Sequence, residues 1–299
     1  MADPDLVVET RDLRKSYGAT EALRGLNFHL PRGSIAGFLG RNGAGKTTTM
    51  KILMGLTHPT SGSLRVLGLS PDSEANGVTI RSRTAFVSED KNLVDYMTAE
   101  ELVRFTASFY PQWDRDLEKN YLRVFELPAA AKVKDYSRGM RTKLAILLAV
   151  CRGSELLLLD EPTSGLDPVA IEQALQAVVA HAARGATVLF SSHQIAEVDQ
   201  IADHLTIIDR GKCIVSGPLD DVRASYRRVQ LVFENDAPDI RLNAGSIVRT
   251  ERRGRTLSLL VSAGAADVMA EVQSLNPVSM DAVPVTLREI FLETTGQGE

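Results

Sequence analysis

One eight-residue stretch carries the most specific chemistry in the chain. Gly40-Arg41-Asn42-Gly43-Ala44-Gly45-Lys46-Thr47 fits the spacing G-x-x-x-x-G-K-[ST]. Glycines at these places let consecutive backbone N–H groups turn inward and donate to phosphate oxygens. A helix beginning at Lys46 would add its positive end. The Lys46 ammonium can then reach the β- and γ-phosphates, and the Thr47 hydroxyl is a hard oxygen ligand for Mg²⁺. The expected phosphate-binding residues are Asn42, Gly43, Ala44, Gly45, Lys46, Thr47 and Thr48, with Lys46 also taking part in catalysis. A second stretch, Leu156-Leu157-Leu158-Leu159-Asp160-Glu161, runs four aliphatic residues into two carboxylates. Acids at the C-terminal end of a buried parallel strand face the phosphate loop. There Asp160 can hold Mg²⁺ through water, and Glu161 can polarise an attacking water. Two adjacent acids beside bound phosphates are costly without a cation, so Mg²⁺ is implied.

These groups need a scaffold that brings strand ends together. Residues 34–39 form a short apolar run, the pattern of a buried strand, and residues 46–56 have helical spacing. Upstream, residues 6–9 and 21–30 read as strands, set off by turns at Tyr17-Gly18 and Pro31-Arg32-Gly33. Residues 98–108 and 115–126 have helical spacing, and residues 140–151 are apolar on most faces, as in a buried helix. Residues 156–159 predict a buried parallel strand. Helix, strand and helix follow at 169–183, 187–191 and 195–201, then a hairpin of 205–208 with 213–216 around Arg210-Gly211. Such alternation predicts an α/β core with parallel strands. The character changes near Arg223. Short strands at 229–233, 247–249 and 257–261, turns at 235–238 and 252–255, and helices at 266–275 and 287–292 predict a small α+β appendage over about 224–299.

The bulk numbers narrow the function. A net charge of −4 argues against a protein that grips nucleic acid, which needs a basic face. Two cysteines, Cys151 and Cys213, make no metal spacing and no disulfide framework; they read as buried thiols suited to a reducing cytoplasm. The long apolar run at 144–151 is closed by Lys143 and Arg152 and falls far short of the roughly 20 residues of a membrane span. Residues 1–9 are acidic and lack the apolar core of a secretory signal. A soluble chain is expected, with any membrane role exerted through a partner.

Further motifs, taken in order, carry a resemblance. Tyr136-Ser137-Arg138-Gly139-Met140 resembles the signature sequence of ABC ATPases and stands shortly before the Asp160-Glu161 strand, as it does in that family. Ser164-Gly165-Leu166-Asp167 resembles the D-loop, and Ser192-His193 the switch histidine. Tyr17 falls where the family has an aromatic that stacks on adenine. Over residues 5–220 the chain is similar to the ATP-binding subunits of ABC transporters. The resemblance implies a P-loop NTPase core of the ABC ATPase type, spanning 1–223, with an antiparallel β portion and a helical subdomain at about 90–150. It implies Mg²⁺-dependent ATP hydrolysis with Glu161 as base and His193 on the γ-phosphate. It also implies a head-to-tail dimer, expected to be a homodimer, in which each ATP is held by the P-loop of one chain and by Ser137 and Gly139 of the other.

The sequence departs from that pattern at three places. Arg138 stands where the signature usually has Gly, and Met140 where it has Gln. Arg138 is expected to add a cation near ATP. Glu89 takes the place of the glutamine that meets Mg²⁺ and the water; an ionised Glu can still meet the metal but cannot donate. The segment Asp95-Tyr96-Met97-Thr98 resembles the region that receives a coupling helix from a membrane permease. Residues 285–292 resemble the tail of bacterial exporter ATPases of the bacitracin-resistance and lantibiotic-immunity type. The expectation is therefore an exporter motor on the inner face of the cell membrane, held there by an integral-membrane permease. The alternative is an ABC ATPase acting without a membrane partner, although the chain shows one cassette and no heptads. The basic run 249–255 is expected to be a solvated hairpin tip.

Overall fold

The computed structural model describes residues 5–240 and 245–296. In chain order it contains β1 (Leu6–Tyr17), β2 (Thr20–Pro31), β3 (Ile35–Gly40), α1 (Lys46–Leu53), β4 (Ser61–Val66), α2 (Glu74–Arg83), β5 (Thr84–Val87), α3 (Ala99–Ala107), α4 (Arg115–Val124), α5 (Arg138–Val150), β6 (Leu156–Asp160), α6 (Pro168–Ala182), β7 (Thr187–Ser192), α7 (Ile195–Ile201), β8 (His204–Asp209) and β9 (Lys212–Pro218). There follow α8 (Leu219–Ser225), β10 (Arg227–Val232), β11 (Ser246–Arg253), β12 (Thr256–Ala263), α9 (Ala265–Gln273), β13 (Ser279–Pro284) and α10 (Leu287–Thr295). The chain divides into two units, residues 1–216 and 217–299.

The first unit is built on a six-stranded sheet of order β5-β6-β7-β3-β8-β9 and a three-stranded sheet of order β2-β1-β4. Pairings from β5 through to β8 are parallel, and β1 pairs antiparallel with both neighbours. Strands covered on both faces need apolar side chains throughout. Accordingly every residue of β3, β6 and β7 is buried. Burying each leucine of Leu156–Leu159 contributes about 1.5–3 kcal/mol, which outweighs the modest helix preference of leucine. Helix α1 buries Met50, Ile52 and Leu53 in one core with Leu13, Leu26 and Phe28 of the antiparallel sheet and Phe38, Leu158 and Leu189 of the parallel one.

Helices α3, α4 and α5 occupy the stretch expected to be helical. Thr98 and Glu101 form a reciprocal capping box at the start of α3, worth about 1 kcal/mol. Helix α5 buries Leu144 to Val150 without a break and packs against α3, α4, α6 and β5.

In the second unit the strand order is β11-β12-β10-β13, with the pairings antiparallel. Alternation sorts its faces. Val229, Leu231, Leu257, Leu259 and Val261 join Val268 and Val272 of α9 in a core. Arg228 lies in the alternate register and pairs with Glu289 and Glu293 of α10, and Arg249 pairs with Glu293 and Glu251.

Several elements differ from the sequence reading. Strand β4, helix α2, strand β5, helix α8 and strand β13 were not foreseen. In β4 only Leu64 and Val66 are buried, α2 contains Asn76 and Gly77 and buries little beyond Ile80, and β13 is mostly exposed. Helix α1 ends at Leu53 rather than at Leu56, because Gly55 takes a positive φ of 65° and reverses the chain. The division between units falls at Ser216/Gly217 instead of Arg223/Ala224, since α8 packs on β12. Both thiols are free; burial pushes Cys151 up to about 12 and Cys213 up to about 11, so neither is a nucleophile at neutral pH. Among the described residues no helix is long and apolar enough to cross a membrane.

Candidate active site

Parallel register aligns the strand ends that matter. Leu39 of β3 lies opposite Ser192 of β7, and Asp160 of β6 opposite Ser191. The loop after β3, the acids ending β6 and the histidine after β7 therefore emerge side by side, at the carboxyl edge where α/β sheets bind ligands. On the other side of β6, Val87 of β5 lies opposite Leu159, which delivers Glu89 to the same edge.

The result is a cleft of about 630 Å³. It is lined by Tyr17, Asn42, Gly43, Ala44, Gly45, Lys46, Thr47, Thr48, Glu89, Asp160, Glu161 and His193, with Thr20, Glu21, Ala22 and Arg41 completing the wall. Twelve of the fourteen residues singled out from the sequence thus meet in one place. Gly45 is the N-cap of α1 with φ of 108°, and a Cβ there would fall 2.7 Å from Leu23 Cδ2 and 2.9 Å from the Ala22 carbonyl. Only glycine fits. No side chain caps α1 and no acid sits in its first turn, so its first N–H groups and the positive end of its dipole face the cleft uncompensated.

Lys46 is buried; its Nζ donates to the Gly40 carbonyl at 2.7 Å and lies 3.5 Å from Glu161 Oε1. Glu161 Oε2 lies 2.7 Å from His193 Nδ1 and accepts the His193 backbone N–H at 3.3 Å. The carboxylate is therefore flanked by two groups that can both bind a phosphate. Asp160 is 1% exposed; Oδ1 accepts from the Ser191 hydroxyl at 2.7 Å, while Oδ2 has no partner among the described groups. A buried carboxylate oxygen without a partner is costly unless a cation meets it. The Thr47 hydroxyl and Glu89 line the same cleft, and oxygen donors of this kind could hold a hard cation such as Mg²⁺.

Ser191, not foreseen from the sequence, braces both acids, since it also accepts the Glu161 N–H at 3.0 Å. Glu161 has a left-handed φ of 49°. Its carbonyl accepts from Lys91 Nζ at 2.8 Å and from Ser164 N–H at 3.3 Å. Lys91 was also missed: a lysine two residues after an acid in a polar loop reads as solvated, yet it is 5% exposed. Burial and the nearby Arg138 hold its ammonium below the usual lysine range, opposed by Glu89, Asp160 and Glu161. Buried Glu197 accepts from both Thr163 and Ser192 at 2.7 Å, joining the turn after Glu161 to the strand end before His193.

Tyr17 sits at the β1–β2 turn, 49% exposed, with Lys15 Nζ 4.8 Å from its ring centroid. Ser137 and Gly139 do not line this cleft. Ser137 is the N-cap of α5 and accepts the Met140 N–H at 3.2 Å; Gly139 lies in the first turn. Arg138 is outside the cleft of its own chain, and its guanidinium donates to Ser164 Oγ at 3.1 Å.

Comparison with known proteins gives these features a context. Residues 23–164 match the family model described as ABC transporter. The chain is 35% identical over 237 residues to the bacitracin transport ATP-binding protein BcrA of Bacillus licheniformis, covering 77% of each. It is 32% identical over 300 residues to the Nod factor export ATP-binding protein I of Cupriavidus pinatubonensis, covering 97% of this chain and 91% of that one. Its fold is similar to the dimeric structure of a bacterial ABC transporter cassette, with a TM-score of 0.65 at 23% identity, over 71% of this chain and 98% of the other.

Proposed function

Since the chain belongs to the ABC transporter family, we propose that it is the Mg²⁺-dependent ATPase subunit of a bacterial exporter, driving a separate integral-membrane permease from the cytoplasmic side. The observation that carries this is the meeting of the Lys46 ammonium, the Glu161 carboxylate and the His193 ring at one strand edge, with Lys46 at 3.5 Å and His193 at 2.7 Å from Glu161.

In this reading ATP enters the cleft with its adenine on Tyr17 and its phosphates on the N–H groups from Asn42 to Thr48. Lys46 and His193 leave the Glu161 carboxylate for the γ-phosphate, which carries more charge. Glu161 is thereby freed to accept a proton from the attacking water, which adds in line to the γ-phosphorus as the bond to ADP breaks. Thr47, Asp160 and Glu89 would hold Mg²⁺, which when bound would supply positive charge to offset that of the phosphates. Ser137 and Gly139 lie away from the cleft of their own chain and at the start of α5. That placement supports their acting on the ATP of a second copy, through a helix N-terminus that favours anions. ATP would close this homodimer and hydrolysis would reopen it.

The permease is proposed because the relatives are named as ATP-binding proteins of transport and export; among the described residues no helix is long and apolar enough to cross a membrane. A groove between the Glu89 loop and α5, lined by Phe86, Leu93, Ala145 and Leu148, and the exposed Tyr96 are suited to an incoming helix. Export, rather than import, rests on the similarity to the Nod factor export protein. The decisive experiment is Glu161→Gln. Turnover should fall by about 10²–10⁴-fold while ATP binding persists. Unchanged turnover would remove Glu161 as the base. Copurification of a multi-span protein from detergent-solubilised membranes tests the partner; purely soluble partners would favour an ABC ATPase acting without a permease.

A further inference from the structure

A residue with a Cβ adopts the left-handed conformation only when neighbours hold it there. At Glu161, where φ is 49°, both flanking peptide groups are held. The N–H donates to Ser191 Oγ at 3.0 Å, and the carbonyl accepts Ser164 N–H at 3.3 Å and Lys91 Nζ at 2.8 Å. The lysine is the shorter of the two bonds on the carbonyl and the charged one.

Lys91 reaches this carbonyl because of its own backbone. Its φ of 45° turns the loop after β5, with its N–H donating to Ser88 O at 3.2 Å and its carbonyl accepting Leu93 N–H at 2.8 Å. The side chain is thereby sent inward, under the strand edge shared by β5 and β6. Taking an ammonium out of water to reach a neutral carbonyl is an expensive way to fill space; an apolar side chain would fill it more cheaply. The position calls for a donor on a long stem. Arg138 donates to Ser164 Oγ at 3.1 Å, so the turn from Glu161 to Ser164 is held by a cation at each end.

We propose that Lys91 is a positioning residue for ATP hydrolysis, fixing the left-handed backbone of Glu161 and so the direction in which its carboxylate faces the phosphate. Lys91 also makes the Glu89 loop and Glu161 one mechanical body: a displacement of the loop is transmitted to the carboxylate through a single 2.8 Å bond. The inference rests on Glu161 being the base.

The test uses the full chain, with Lys91→Met to keep the stem and remove the donor, and Lys91→Arg to restore a donor. Steady-state ATPase, the Kd of a fluorescent ATP analogue and the thermal unfolding midpoint are read for each. A carboxylate turned away from its water loses about 10- to 100-fold in kcat. Lys91→Met should show that loss with KM and Kd within twofold of wild type, Lys91→Arg should recover most of it, and Lys91→Met should add nothing in a Glu161→Gln background. Wild-type kcat in Lys91→Met, with Glu161→Gln inactive, would overturn the role of Lys91 alone. Full turnover in Glu161→Gln would instead overturn the base assignment beneath it. Should Lys91→Met not fold, the arginine variant decides: a folded Lys91→Arg with intact Kd and no recovered turnover overturns the proposal.

Discussion

Ser191→Ala offers the sharpest quantitative test of the site's construction. Ser191 is fully buried, donates to Asp160 Oδ1 at 2.7 Å and accepts the Glu161 N–H at 3.0 Å. Removing its oxygen strands a neutral amide and leaves Asp160, whose Oδ2 has no partner among the described residues, without a hydrogen bond from them on either oxygen. An unsatisfied buried amide costs about 1–3 kcal/mol and a carboxylate oxygen at least as much, so about 3–5 kcal/mol is expected. Against a total of about 5–15 kcal/mol that is a large fraction. The chain has one tryptophan, Trp113, and it lies in the first unit. Its fluorescence during urea unfolding therefore reports the unit that holds the site. With saturating Mg²⁺ and ATP the deficit should shrink by about 1–2 kcal/mol beyond the stabilisation that wild type gains, because a cation on Asp160 answers one of the two stranded groups. Ser191→Thr, which keeps the hydroxyl, should recover most of the loss. A deficit below about 1 kcal/mol for Ser191→Ala would refute the idea that one hydroxyl holds both acids.

Two further outcomes follow from the same geometry. Chelating divalent cations should abolish turnover in a coupled phosphate-release assay, and adding Mg²⁺ back should restore it, because Thr47, Asp160 and Glu89 cannot offset phosphate charge alone; activity that survives chelation would discard the metal. Stability should fall on acidification below pH 6.5. Burial holds the His181 pKa below the usual 6.5, so in that window the unfolded chain takes up a proton that the folded one refuses. The slope there should approach about 1.4 kcal/mol per pH unit from this group, and His181→Gln should remove that share in a urea-denaturation series between pH 5 and 7.5.

The sequence carried the site wherever chemistry imposes a spacing. A phosphate cradle needs its glycines and lysine at fixed offsets, so residues 40–48 could be placed before any fold was known. Acids at the end of Leu156–Leu159 were legible because a strand buried on both faces must be aliphatic and must stop where polar groups begin. Ser191, Lys91 and Glu197 were not legible, for a different reason. Each acts through one oxygen or nitrogen meeting a group 5 to 70 residues away, and nothing local distinguishes it from a solvated neighbour. The signal nearest to hand was position. Ser191 lies two residues before His193 at the end of an apolar strand, where polar side chains face the ligand edge. Arg138 shows the limit from the other side. Its place in a motif suggested a cation beside ATP, and nothing in that motif foretold the hydrogen bond it makes to Ser164 of its own chain.

Arg138 and Lys91 together alter what the departures from the family pattern mean. The expected glutamine is Glu89, which adds an anion to a strand edge that already holds Asp160 and Glu161. Three carboxylates at one edge would repel one another and drift toward solvent if the loops were free. Lys46 answers one of them from the cleft wall, and two further cations stand outside the cleft lining: Lys91 on the Glu161 carbonyl and Arg138 on Ser164. One backbone oxygen, not a carboxylate, receives Lys91, which leaves the carboxylate oxygens open to metal and water. Substituting Glu89 by glutamine would thus leave Lys91 with less negative charge around it rather than simply restore a common motif, and the two positions are best treated as one electrostatic unit.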